Sequence, residues 1–430
     1  MTAFRQLVTA ALILPGSLIF AACSPADGSS SVDDPVVSVA IAAEGTGVIN
    51  PAAITEAPTG FDNLTNGFAT QAAVDAARDT FSEVDGLAEG IGPTFNNTSC
   101  VSCHQSPLGQ VGTGSQISEL RAGHFNGTNF IDHPGGSLIN ERANDRSIQE
   151  HILSGNEVQV LRLTLSLAGD GFIEAIDSNT LLQISNAQPA GQRGTLIQVP
   201  VLEAPGVVRA GRFGWKNQQS SLLSFAGDAY VNEMGITNRL FPTENTSNGT
   251  VVQGGPFDGK PDPAGIGEDD ANDIDTFALF MRSMKAPPRG PITAAVTRGQ
   301  ANFNAAGCPV CHVATINTSP AGTAINGGAF IVPAALGDKA VHPFGDYLLH
   351  NIGTGDGIVQ NGGQATRLQV RTAPLWGIGA RTRFMHDGGS LTITEAIQRH
   401  AGQAAAAAAF FANNLSAAQQ ADLVAFVFSL

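Results

Sequence analysis

Four of the chain's five cysteines stand in two copies of one pattern, Cys100-Val-Ser-Cys103-His104 and Cys308-Pro-Val-Cys311-His312. Two thiols one helical turn apart, followed at once by an imidazole, form the attachment signature of c-type haem. The chemistry sets the spacing: the thiols add across the two vinyl groups of the porphyrin, and the next residue puts a neutral ring nitrogen under the iron. A zinc site would need the two pairs to meet across nearly half the chain. Disulfides within each pair are open to an exported protein, but they leave His104 and His312 without a role. Haem accounts for all six residues. It would also supply an apolar core to a loop-rich chain, with 50 Gly and 23 Pro among 430 residues.

Charge excludes one large class of function. With 22 Lys+Arg against 37 Asp+Glu, the formal net charge is -15, and phosphate binding needs a concentrated basic surface. The N-terminus has the order of an export signal over residues 1–22: Arg5, the apolar run Leu7 to Leu14, then small residues up to Ala22. Phe20-Ala21-Ala22-Cys23 resembles a bacterial lipobox, which makes Cys23 the first mature residue and the carrier of lipid. Ser24 after it is similar to lipoproteins sent to an outer membrane. Residues 23–60 are Ser, Ala, Gly, Pro and Val without a sustained period, and read as a disordered tether.

The expected fold is mainly α, with two cytochrome c-like domains in tandem, at 61–286 and 287–430, joined near Pro287-Pro288-Arg289-Gly290-Pro291. Phe95-Asn96 and Phe303-Asn304 stand at equal offsets before the two motifs, which suggests a duplication. Val74, Ala77, Phe81 and Val84 keep helical spacing. Ser416 and Gln419 form a capping box before Leu423, Phe426, Val427 and Leu430, a core helix. Glu244 to Ala271 reads as an exposed loop, with Asp269, Asp270 and Asp273 on a solvated face. The run Ala404 to Ala409 reads as a helix surface.

Several further stretches resemble the di-haem oxidoreductases, also called thiol oxidoreductases, a family related to bacterial di-haem cytochrome c peroxidases and MauG-like enzymes. They are Leu163 to Leu167 with Gly171 to Ile176, Gly211-Arg212-Phe213-Gly214-Trp215-Lys216, and Glu233-Met234-Gly235-Ile236-Thr237. Leu348 to Gly353, Arg371-Thr372-Ala373-Pro374-Leu375-Trp376-Gly377, and Met385-His386-Asp387-Gly388 leading to His400 complete the set.

The resemblance implies an exported oxidoreductase of peroxidase type, with electrons entering at the C-terminal haem and reacting at the N-terminal one. It makes His400 the second ligand of the C-terminal iron, with Met385 the rival, and leaves His350 and His386 to hold propionates or loops. It makes Glu233 the acid-base group above the N-terminal iron and Trp215 a side chain between the haems. The Gln usual in classical peroxidases is missing at Ser224-Phe225-Ala226. His124 is an alternative cap for the first iron. The donor implied is a small redox protein such as a cytochrome c or a cupredoxin, and a calcium ion between the modules is possible by analogy. The alternatives are an electron carrier with both irons closed, and a di-haem oxygenase or MauG-like oxidase.

Overall fold

Two crossings of helices organise the apolar interior, one beside each cysteine motif. The computed structural model describes residues 44, 53–114, 117–252, 260, 268–269 and 271–430. The expected signal, Cys23 and nearly all of the tether before Ala53 lie outside the described residues. One contact unit runs from Asp34 to Leu430.

The helix Gln71–Phe81 starts where the Thr70 hydroxyl accepts from the Ala73 backbone N–H, and it buries Val74, Ala77 and Phe81. A cap of this kind contributes about 1 kcal/mol. Val84 falls past the helix end at Ser82 and is exposed, so the apolar spacing overran the element by one turn. The helix packs on Asp273–Ser283. There Phe81 meets Phe277 edge-on at 5.9 Å and Phe280 at 4.9 Å, and Tyr230 of the helix Leu222–Met234 meets Phe277 at 5.1 Å. Asp269, expected to be solvated, is half-buried and accepts from the Asp273 N–H at the start of this helix.

The second crossing joins Ala294–Ala305 to Ala417–Phe428, the latter opened by the expected Ser416/Gln419 capping box. Phe303 lies 5.1 Å from Phe426 and 6.3 Å from Phe344. Gly299 is required at the crossing, because a Cβ there would stand 1.9 Å from the Asp422 carbonyl oxygen.

The motif-proximal aromatics correct the apparent duplication. Phe303 sits on a helix 6.2 Å from the His312 ring, and the residue with that relation to His104 is Phe81, at 6.1 Å. Phe95 instead lies in a two-residue strand paired with Arg142–Ala143. Equal offsets in sequence thus do not mark equal places in the fold.

The mainly helical reading undercounts the strands. Among the described residues there are sixteen, mostly of two or three residues, in seven small sheets. Gly and Pro bound such short ladders and keep them from growing. The longest, Ser118–Phe125, pairs antiparallel with Val158–Leu163 and sets Glu119 opposite Arg162. Within the span assigned to the tether, Thr55–Glu56 pairs in parallel with Lys339–Ala340. The larger core also draws on residues beyond Pro287, among them Ile316, Val341, Tyr347 and Trp376. No helix among the described residues is long and apolar enough to cross a membrane.

Candidate functional site

The two motifs open onto two cavities. Cys100, Cys103 and His104 line the first, of about 590 Å³, and Cys308, Cys311 and His312 line the second, of about 220 Å³. The four cysteines are not joined by disulfides and the pairs face different cavities, so neither a disulfide nor one shared zinc explains them. Burial pushes the thiols up, to about 12 for Cys100 and Cys311 and about 11 for Cys103 and Cys308. Thiols so protonated are poor nucleophiles and poor partners for exchange.

Local structure aims the histidines. Cys100–Cys103 forms one helical turn with His104 at its C-cap. Gly307, in the left-handed region at φ 80, turns the chain into the short helix Cys308–Val310 ahead of His312. Nδ1 of His312 donates to the Phe344 carbonyl at 3.0 Å, which leaves Nε2 for a metal. Nδ1 of His104 is buried without a hydrogen bond, although the Leu165 carbonyl favours the protonated ring. Burial, first among the causes, holds both imidazoles at about 4, and a neutral imidazole is the ligating form. Two thiols and one neutral imidazole on each cavity wall, beside aromatic and aliphatic side chains, fit a haem.

A carboxyl pair stands in the wall of the first cavity. The helix Leu222–Met234 ends at Gly235, φ 75, where a Cβ would stand 2.4 Å from the Gly92 carbonyl oxygen. That end places Glu233 in the wall. The loop before the first motif is tied to the same place, since the Asn96 and Asn97 N–H groups donate to the Glu233 carbonyl at 2.7 and 3.1 Å and Asn96 Nδ2 donates to Glu233 Oε2 at 3.0 Å. Glu233 is hydrogen-bonded to Glu119. Burial, then the charge of Glu119, raise the Glu233 carboxyl well above the ordinary range. Burial acts on Glu119 too, but the Arg121 charge and hydrogen bond, with Arg162 behind them, bring it below that range. Two carboxyls in a hydrogen bond need a proton between them, and these opposite shifts favour Glu233 over Glu119 as its holder. Asp228, also in the wall, is raised by burial to about 6.

The second cavity is walled differently. Besides His312 it is lined by His386, His400 and Met385. Nδ1 of His400 donates to the Ala396 carbonyl at 2.7 Å, one turn back on Ile393–Gln398, so its Nε2 is also free for a metal. Met385 stands in the same wall with φ 69. His386 donates to the Thr354 carbonyl at 2.5 Å through Nε2, and its Nδ1 is buried without a hydrogen bond. Ala404, Ala407 and Ala408 line this cavity as well, so the low-complexity run is not merely a surface.

Trp215 lines both cavities. Its Nε1 donates to the Leu163 carbonyl at 2.7 Å, and its ring meets His386 edge-on at 6.1 Å. Leu165, Ser166, Asp170 and Arg371 share that double position.

Other expectations land elsewhere. His124 lines neither cavity; its Nδ1 pairs with Glu157 at 2.8 Å on an exposed strand, so it does not cap the first iron. His350 is buried against Asp346 at 2.8 Å, with Cys311 Sγ 3.8 Å from its other nitrogen. These three form the only cluster of three metal-ligating side chains among the described residues. A thiol and an imidazole do not suit calcium, which takes oxygen ligands. Glu119 and Arg121 were missed in the sequence, where only their i, i+2 spacing in a short polar-apolar alternation marked them. Ser224-Phe225-Ala226 brings no Gln to the first cavity, but Gln218 lines it with a buried, unpartnered Oε1.

Residues 109–430 match the model of a family described as "Di-haem oxidoreductase, putative peroxidase". Among solved structures the chain is similar to a hydrazine synthase of Kuenenia stuttgartiensis, at 15% identity over 94% of this chain and 100% of that one, with a TM-score of 0.39. It is also similar to a MauG-like protein associated with microbial copper homeostasis, at 16% identity over 89% and 94%, TM-score 0.39. A third is the diheme peroxidase BthA of Burkholderia thailandensis, at 14% identity over 89% and 88%, TM-score 0.39. No curated protein matches the chain.

Proposed function

Because the chain belongs to the di-haem oxidoreductase family and is a haem-dependent oxidoreductase with two haems, we propose that it reduces a peroxide at the first cavity with electrons received at the second. Cys100, Cys103 and His104 would hold one haem and Cys308, Cys311 and His312 the other, each through two thioethers and an imidazole. When bound, the haems supply one-electron chemistry and an iron able to take an oxidant.

The observation that carries the reading is the asymmetry of the two walls. His400 offers a second imidazole in the C-terminal cavity. Among the described residues the N-terminal cavity has no imidazole besides His104, and offers the Glu119–Glu233 pair instead. Hydrogen peroxide, two electrons and two protons give two waters. A carboxyl pair holding one proton can take the proton of the near oxygen and return it to the departing one. Arg121 keeps Glu119 ionised, so Glu119 is the member that receives the near oxygen's proton and Glu233, which carries one, the member that gives a proton to the departing oxygen. Trp215, in the wall of both cavities, lies where an electron would cross.

The export order of residues 1–22 and the lipobox at Cys23 support a lipoprotein on the periplasmic side, in the outer membrane. The acidic net charge supports a basic donor, a small cytochrome c or cupredoxin, in a small and transient encounter. Peroxide turnover with a reduced small cytochrome, read beside the oxidised spectrum, tests the proposal. We expect one low-spin haem, one that binds cyanide, and turnover far above free haem. Two low-spin haems and no turnover would make the protein an electron carrier, and an oxygenated organic product would make it an oxygenase.

A further inference from the structure

Buried charges are stable only when paired, and several cations in and behind the cavity walls meet that test. Arg121 pairs with Glu119, Arg162 with Asp356, Lys216 with Asp356 and Arg282 with Glu174. Arg371 and Arg381 have no carboxylate partner among the described residues. Arg371 is buried; its Nη1 donates to the Arg212 carbonyl at 2.7 Å and its guanidinium faces the Tyr347 ring at 5.6 Å, while its Nε has no partner. Arg381 donates through Nη2 to the Thr164 carbonyl at 3.0 Å.

Arg371 lines both cavities and Arg381 the second. The nearest acid on the shared wall is Asp170, which makes no ion pair with Arg371. Burial lifts it to about 7, against the pull of Arg371, so near neutral pH it is a weak counter-charge. Two guanidiniums facing cavities built for haem, one with a buried free donor, await anions that arrive with the ligand.

We propose that Arg371 and Arg381 form a carboxylate clamp for the propionates of the two haems, with Arg371 gripping a propionate from each and Arg381 a second one from the C-terminal haem. A guanidinium receives a carboxylate through parallel N–H donors. The clamp fixes the propionate edges of both haems against the wall that holds Trp215. It rests on each motif carrying one haem.

The test is a spectroelectrochemical titration of the holoprotein, after a pyridine haemochrome measurement has counted two haems. A cation near a haem favours the reduced state, so its loss lowers the midpoint potential. In Arg371→Gln both titration waves should move down, by about tenfold in the reduced-to-oxidised ratio, or ~59 mV for one electron. In Arg381→Gln one wave should move, and Arg371→Lys should recover much of the first shift. Arg146→Gln, at an exposed position that lines neither cavity, should move neither.

Folded Arg371→Gln with unmoved potentials, or Arg146→Gln shifting as far as Arg371→Gln, overturns the clamp. If Arg371→Gln does not accumulate, Arg381→Gln decides: a shift of one wave supports the clamp and no shift rejects it. Fewer than two haems in the unmodified protein is a different failure, that of the two-haem reading itself.

Discussion

The two cavities carry the same Cys-x-x-Cys-His set and share one wall, and they differ in the side chains that line the rest. The first is wide and lined with acids: Glu233 is hydrogen-bonded to Glu119, and Arg121 and Asp228 stand beside them. The second is narrow and lined with imidazole, thioether and alanine. What differs is therefore the wall facing the motif. Under the proposed function, one Cys-x-x-Cys-His module would serve for chemistry or for relay, depending on whether the cavity around it offers a proton or a ligand.

Breaking the first wall should give the largest effect. Glu233→Gln removes the acid-base group, and peroxide turnover should fall 10²- to 10⁴-fold in steady-state assays with a reduced cytochrome. Retention of full turnover would leave the pair without a catalytic role. Breaking the second wall should make the cavities alike. In His400→Ala the cyanide bound per chain should rise from one to two, while Met385→Ala leaves it at one; the opposite pattern would give the ligation to Met385.

A smaller effect is expected at the ion triad behind the first cavity. Arg162 and Lys216 pair with Asp356 in full burial. Burial opposes the Asp356 charge, but the two cations hold its carboxyl at about 2. Its stabilisation is present above the ordinary value near 3.8 and is lost as pH falls from there toward 2. Asp356→Asn should cost about 3 kcal/mol at pH 7 in denaturant unfolding, and the deficit should shrink over that acid window. A deficit that stays constant with pH would show packing, not charge, at work.

The smallest effect sharpens the comparison. Glu119→Gln removes the negative neighbour that helps raise Glu233, so Glu233 should lose its proton earlier. The alkaline limb of kcat/KM should move to lower pH by about one unit. An unmoved limb would uncouple the pair.

Local rules made part of this arrangement legible. The two motifs announce themselves, and the Ser416/Gln419 box starts a helix where it stands. The acid pair was not legible, because Glu119 reaches Glu233 only through the pairing of Ser118–Phe125 with Val158–Leu163 and the turn at Gly235. His124, on the same strand as Glu119 and Arg121, is one residue out of their alternation and faces Glu157 instead. The Phe95 and Phe303 echo failed for a related reason: a two-residue ladder takes one and a helix the other.

The alanines of the second cavity set a rule for how that segment can vary. Ala404, Ala407 and Ala408 recur at helical spacing against the cavity, while Ala405, Ala406 and Ala409 are exposed. A stretch that looks like compositional drift is therefore striped. Bulk at the outward positions is nearly free, whereas one added side chain on the inner stripe takes room from the macrocycle itself, and drift along this helix is confined to half of its letters.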